Sequence, residues 1–309
     1  MNSKVRFIMP YFGKFPEGFP YWLMCCKNNS TFNWLIITDD TRDFSYPPNV
    51  NVIYMTLPEL KKRIERKVGF SVALEKPYKL CDFRPLFGWL FEEELKGYTH
   101  WGYGDIDLLF GDLNRFITSD ILEKYSKISK LGHLSILQNT PPVNNAFLEC
   151  DWKSILQSPQ NRIFDEVRFS PNINTILEHK GMNVLKTLPY ADIDCIHYNF
   201  HLYEYKDGNR TSKCTYLPNI YRYKDGRIYK LELIEHSIIE TEIAYVHFQK
   251  RKVVFPPTIL QQYLLIPNKI IEDISLSEYD MIQQCKDDLP YFLKKSYERV
   301  RLAIKIRLM

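Results

Sequence analysis

The chain has 309 residues, 45% of them hydrophobic and 25% charged, with 41 basic against 37 acidic side chains and a net charge of +4. That length can bury a large core, as one large domain or two modest ones, and the composition is ordinary for a soluble globular protein. A charge so mild, and spread along the chain except at its end, excludes a nucleic-acid footprint, so no nucleic-acid partner is expected. The seven Cys form neither CxxC nor zinc-type pairs, and the start, MNSKVRFIMPYFGKF, has no signal-peptide core. No uncharged run suits a bilayer span. A reducing, cytoplasmic location is expected.

Taken in chain order, the first half alternates between strand and helix. Residues 5–9 are a short apolar run closed by Pro10, 20–27 read as helical, and 34–38 read as a buried strand ending in Asp39-Asp40. A third strand over 52–55 and a charged amphipathic helix over 57–68 follow. Next comes a long helix over 78–95, interrupted by Pro85. This order predicts an α/β fold with a mostly parallel, Rossmann-like central sheet and helices on both faces. Ligands on such sheets bind beyond the C-terminal strand ends. The segments Pro10-Tyr11-Phe12-Gly13, Asp39-Asp40 and Asp105-Ile106-Asp107 all fall at such ends.

The second half changes character. Residues 132–137 alternate like a strand, and 138–145 form a polar loop with prolines. Two strand-like runs flank Asp225-Gly226 within 215–233, a strong hairpin signal, and 244–248 is a further short strand. From 256 onward the pattern reads as helical with breaks. The expected division is therefore one α/β domain over 1–255, with β-hairpin additions, and a helical C-terminal extension over 256–309.

The stretch HWGYGDIDLLFGDL, residues 100–113, sets two carboxylates at the edge of dense apolar and aromatic sequence. Such carboxylates are costly unless something positive meets them. In an extended segment, residues i and i+2 face the same side, so Asp105 and Asp107 can address one cation while Ile106 turns into the core. Oxygen ligands of this kind suit Mg²⁺ or Mn²⁺ and leave coordination positions open for phosphate oxygens.

This segment resembles the DxD motif of GT-A nucleotide-sugar glycosyltransferases. Together with KPYKLCDFRPLFG at 76–88, it resembles a bacterial family that builds capsule and surface polysaccharide. The resemblance covers most of 4–255, is most specific in these two blocks and does not reach the tail. It implies a GT-A-like fold and a metal-dependent transfer of sugar from a UDP- or GDP-linked donor to a glycan acceptor. On the matching positions, Tyr11 and Phe12 are expected to pack on the base, and Asp39 or Asp40 to take a base N–H or a ribose hydroxyl. Lys79 and Asp82 share one helical face, and Pro85 bends the chain just after Arg84, which favours Lys79 and Arg84 on the nucleotide or diphosphate. In YVHFQKRK, 245–252, the resemblance makes His247 a third metal ligand beside Asp105 and Asp107, with Lys250 and Lys252 among the cations near the diphosphate.

An inverting transfer needs a carboxylate base for the acceptor hydroxyl, and Asp165 and Glu166 are the first candidates, Asp192 and Asp194 the second. His133, Asn139, Asn144 and Asn145 are candidates for the acceptor side. A nucleotidyl- or phosphotransferase also uses paired carboxylates and a divalent ion, but no Gly-rich phosphate loop is present. A catalytically silent glycan-binding protein is the rival outside enzymes. At the C-terminus, Leu293, Tyr297, Val300, Ile304 and Leu308 form one apolar stripe flanked by Lys and Arg. A basic amphipathic helix of this kind suits an anionic membrane carrying a lipid-linked acceptor, or packing on protein.

Overall fold

The first strands are β1 (Val5–Tyr11), β2 (Phe32–Thr38) and β3 (Val50–Tyr54), joined by helices α1 (Phe19–Asn28) and α2 (Leu57–Val68). The structure is a computed structural model that describes residues 4–166, 170–193, 197, 202–206, 209–213, 219–249, 251–283 and 293–297. Helix α2 starts where its sequence says it should. Thr56 and Glu59 form a reciprocal capping box, and Gly69 ends the helix at φ 81°. Its buried side chains are Leu60 and Ile64, four residues apart on one face.

Residues 78–95, expected as one helix, are instead two 3-10 turns, Pro77–Asp82 and Arg84–Leu86, followed by one short α-helix, Phe87–Leu90. Each 3-10 turn has a proline in its first positions, where an N–H is dispensable. Leu80, Phe83, Leu86, Phe87, Leu90 and Phe91 are all buried, at spacings of three and four that a continuous helix would also place on one face, so apolar periodicity alone does not separate the two conformations.

Five short strands follow: β4 (His100–Gly104), β5 (Leu108–Phe110), β6 (Lys127–Ile128), β7 (Leu134–Gln138) and β8 (Val184–Leu185). A seven-stranded sheet has the order β3-β2-β1-β4-β7-β6-β8. It is parallel from β3 to β4 and turns antiparallel at β4–β7 and β7–β6. This is the expected α/β sheet with an antiparallel flank. Gly102 is required in β4, because a Cβ there would lie 2.6 Å from the Phe7 ring and 2.7 Å from the Ser135 carbonyl.

The remaining strands are β9 (Tyr190–Asp192), β10 (Leu202–Lys206), β11 (Asn209–Lys213), β12 (Asn219–Lys224), β13 (Arg227–Ile234), β14 (Ser237–Ile243), β15 (Tyr245–His247), β16 (Tyr263–Ile266) and β17 (Lys269–Glu272). The hairpin at Asp225-Gly226 forms as expected: Lys224 pairs with Arg227, and both loop residues have positive φ, 52° and 74°. The stretch after 256 differs from the helical expectation. β16 and β17 pair around Pro267-Asn268 and join a five-stranded antiparallel sheet, β14-β13-β12-β16-β17. Proline fixes φ near −65°, and Asn268 sits at φ 67°, the signature of a type II turn. One face of this sheet carries the buried cluster of Ile220, Leu231, Leu233, Leu264, Ile266 and Met281. Met281 comes from the helix Glu278–Gln283.

Of the amphipathic stripe over 289–309, only Leu293 and Tyr297 lie within the described residues, both exposed. Among the described residues no helix is long and apolar enough to cross a membrane. The chain divides into two compact units: Met1–Phe19 with Cys26–Ile106 and Leu113–Leu188, and Pro20–Cys25 with Asp107–Asp112 and Pro189–Met309. The seven-stranded sheet belongs to the first. The five-stranded sheet and a small sheet of order β5-β15-β9 belong to the second.

Candidate active site

The ends of β1 and β2 lie side by side, with Tyr11 paired to Thr38. Just beyond, Asp39 accepts a hydrogen bond from the Gly13 N–H at 2.7 Å, and Asp40 accepts one from the Phe15 N–H at 2.8 Å. Arg42 closes the turn by donating to both the Asp40 carboxylate and the Phe15 carbonyl. Its hydrogen bonds hold the Asp40 carboxyl well below the usual carboxylate range, although burial opposes them. Asp40 is thus buried and structural, whereas Asp39 is exposed. Tyr11 stacks on Phe15, centroids 4.9 Å apart, and remains half-buried; Phe12 belongs to the core.

Lys79 and Asp82, expected at the nucleotide, lie inside the fold. The Lys79 ammonium donates to Asp82 at 2.7 Å and to the carbonyls of Ile155 and Gln160, each at 2.8 Å. Those three bonds use all the donors a lysine has. Asp82 is fully buried and accepts from the N–H groups of Arg162 and Phe164. The pair anchors the segment that leads into Asp165. Asn139 and Asn144 also differ from the expected acceptor role. Asn139 donates to the carbonyls of Leu95 and Tyr98, and Asn144 joins Asn139 to the Trp101 ring N–H. His133 is buried in the same unit, while Asn145 is exposed.

Arg84, expected on the nucleotide or diphosphate, lies on a cluster of carboxylates. One terminal nitrogen donates to Asp165 Oδ2 and to the Gly132 carbonyl, both at 3.0 Å. The other donates to Asp105 Oδ1 at 2.5 Å and to the Gly104 carbonyl at 3.2 Å. Glu166 accepts from the Gly132 N–H at 3.3 Å. A Cβ on Gly132 would fall 2.7 Å from Asp165 and 2.8 Å from Glu166, so a larger residue there would push these side chains aside. Asp165 is 1% exposed, and burial raises its carboxyl above the ordinary range despite the Arg84 charge. Glu166 is half-buried and the more accessible of the two. Lys127 is an unexpected member of this surrounding. It is fully buried, donates to the Ser129 carbonyl and to Ser135 Oγ, and burial lowers its ammonium to about 7.

In the small sheet, His247 lies opposite Leu108 on one side and Asp192 on the other. The Phe248 N–H donates to the Asp107 carbonyl at 3.0 Å, and the Ile193 N–H to the His247 carbonyl at 2.9 Å. His247 Nδ1 is 2.8 Å from Asp192 Oδ1, and its Nε2 is 3.6 Å from Asp107 Oδ1. Asp105, two residues before Asp107 in the chain, completes the group: Asp105, Asp107 and His247 each offer one ligand atom, all within 4.8 Å of one another. The buried Ile106 between the carboxylates matches the alternation read from sequence. Two carboxylate oxygens and one imidazole nitrogen fit a hard or borderline divalent cation such as Mn²⁺ or Mg²⁺. Asp192, a second-rank candidate for a base, is a hydrogen-bond partner of this histidine. No local signal points to that role, because the two residues are 55 positions apart. Asp194 and Lys250 lie outside the described residues; Lys252 is exposed, and Arg251 is buried on Asn268.

Three solved glycosyltransferases are similar to the chain at low identity. One is galactosyltransferase LgtC, in complex with donor and acceptor sugar analogues: 11% identity, TM-score 0.35, covering 60% of this chain and 75% of that one. GlyE of Streptococcus pneumoniae TIGR4 gives 10% identity and TM-score 0.31 over 60% of this chain and 45% of that one. A glycosyltransferase involved in glycosylation of the major capsid of PBCV-1 gives 8% identity and TM-score 0.31 over 62% and 85%. No curated protein matches the chain. Residues 7–274, most of the chain, match the group described as "Family of unknown function (DUF6625)", and the protein therefore belongs to the DUF6625 family.

Proposed function

We propose that this protein is a metal-dependent glycosyltransferase of hexosyltransferase type, moving a sugar from a UDP- or GDP-linked donor to a bacterial surface-glycan acceptor. The observation that carries the reading is the convergence of Asp105, Asp107 and His247. In the transfer, an acceptor hydroxyl oxygen bonds to the anomeric carbon, the bond from that carbon to the diphosphate breaks, and the hydroxyl proton passes to a base. A bound divalent cation supplies positive charge to the departing diphosphate. Asp105, Asp107 and His247 hold that cation. Arg84 orients Asp105, and Lys250 and Lys252 offer charge to phosphate oxygens. Tyr11 and the exposed Asp39 address the nucleoside. Glu166 is the accessible candidate for the base, with Asp165 fixing Arg84 beside it. The imidazole in the donor set favours Mn²⁺ over Mg²⁺, since nitrogen suits a borderline cation.

A thermal-shift panel of nucleoside diphosphates with and without Mn²⁺ tests the reading. UDP or GDP should stabilise the protein only with the metal present; a protein indifferent to every combination is not this enzyme. Lys250→Ala should weaken binding of the diphosphate by about 1.5–3 kcal/mol, the range for a charged hydrogen bond, and hardly change binding of the free nucleoside. We also assign the basic C-terminal stripe to peripheral contact with an anionic inner membrane surface, where a lipid-linked acceptor resides. Full-length protein should sediment with anionic liposomes at low salt and release as salt rises, and a chain ending at Asp288 should not sediment. Insolubility of the shortened chain, with no liposome binding by the intact one, would assign the stripe to packing on protein.

A further inference from the structure

The geometry points to Asp192 as the residue that positions His247 for the cation, an inference that rests on the metal-dependent reading above. Three strands bring this about. β15 runs antiparallel to β5 and parallel to β9, which sets His247 beside Leu108 on one flank and beside Asp192 on the other. The backbone of His247 is fixed on both flanks, through the Phe248 N–H on Asp107 and its own carbonyl on the Ile193 N–H. What the strands leave open is rotation of the imidazole about its side-chain torsions, and the contact at Nδ1 removes it.

Asp192 is 2% exposed, and a carboxylate so buried is costly unless it is hydrogen-bonded. A carboxylate only accepts, so the 2.8 Å contact requires His247 Nδ1 to carry the proton. In a neutral imidazole, that leaves the lone pair on Nε2, the nitrogen that faces Asp107 at 3.6 Å. Asp192 therefore selects the tautomer, aims the ring and raises the basicity of the donor nitrogen, as carboxylates behind metal-bound histidines do. A histidine that merely filled space between strands would need neither the buried acid nor a nitrogen aimed at a second carboxylate.

The test uses the full-length protein and Mn²⁺ alone. Electron spin-echo modulation should detect one imidazole nitrogen on the bound Mn²⁺ in wild type, and His247→Ala should remove that signal. Asp192→Asn should keep the melting temperature, weaken Mn²⁺ binding about 10–100-fold and diminish the nitrogen modulation. Wild-type protein that binds no Mn²⁺ overturns the proposed function. Wild-type protein that binds through an imidazole, with Asp192→Asn equal in affinity and modulation, overturns the role of Asp192 alone. A second measurement needs no Asp192 variant. Nitrogen NMR of histidine-labelled, metal-free protein, with His247 assigned by its loss in His247→Ala, should show the Nδ1–H tautomer at a pH where the ring is neutral. An Nε2–H tautomer there overturns the inference even if Asp192→Asn fails to fold.

Discussion

Asp105 and Asp107 stand two residues apart in the chain, yet their surroundings differ in kind. Asp105 meets a permanent cation. Arg84 donates to it, to the buried Asp165 and to two carbonyls, within a surrounding that also buries Lys127. Asp107 meets a titratable imidazole, His247, backed by Asp192 across a three-stranded sheet. Both side chains are about one-third exposed, at 33% and 34%, so exposure does not separate them. The partners do. A guanidinium stays charged at any pH a folded protein meets and fixes Asp105 as part of the scaffold. An imidazole can give up a proton and leave Asp107 to a metal. Stability should therefore depend mainly on the first surrounding and metal binding mainly on the second.

The largest expected effect is on stability. Arg84→Ala leaves the buried Asp165 without its cation and should cost about 3–5 kcal/mol, read by urea denaturation. A loss below about 1 kcal/mol would show that Asp165 does not depend on Arg84, and the contrast would collapse. Asp107→Ala should do the reverse. Its stability should stay within about 0.5 kcal/mol of wild type, the usual range for a surface change. Its metal-dependent affinity for UDP or GDP, measured by calorimetry, should fall by at least 100-fold, about 2.7 kcal/mol. Unchanged affinity would remove Asp107 from the metal site.

A pH series sharpens the comparison on the Asp105 side. Burial holds the folded Lys127 near 7, below the value of about 10.4 in an unfolded chain. Between those values the unfolded state binds the extra proton, so this residue makes stability rise with pH, by at most about 1.4 kcal/mol per unit. Below pH 7 the lysine is protonated in both states and contributes no slope. Lys127→Met should remove the rise between pH 7 and 10, seen in chemical denaturation across that range; an unaltered slope would assign the rise to another group. Asp105→Ala should cost only about 1 kcal/mol of stability, far less than Arg84→Ala, because Arg84 keeps Asp165 and both carbonyls. Metal-dependent binding should nonetheless weaken in this variant, as it does in Asp107→Ala.

How much of this was legible in the sequence depended on how local each signal is. The strands of the first half, the capped helix over 57–68 and the hairpin at Asp225-Gly226 were readable because caps, turn residues and apolar periods act within a few positions. The strands at 263–272 were not read from the sequence, although the turn at Pro267-Asn268 that joins them is itself a local signal. The same locality governed the site. Asp105 and Asp107 stood out through their spacing and the apolar residue between them, whereas His247 was expected from the resemblance to GT-A glycosyltransferases and not from a local signal.

By itself, then, the sequence determined the elements and the chemistry of the ligand atoms, because propensity, capping and the types of side-chain donor are properties of a few neighbouring residues. Only the tertiary structure decided how the charges pair. It turned Lys79 and Asp82 inward to anchor a loop, gave Asn139 and Asn144 to backbone and ring partners, and set Asp192 behind His247 from 55 residues away. The physical reason is that a buried charge takes whichever partner the packing of distant segments brings within hydrogen-bond reach, and no window along the chain carries that distance.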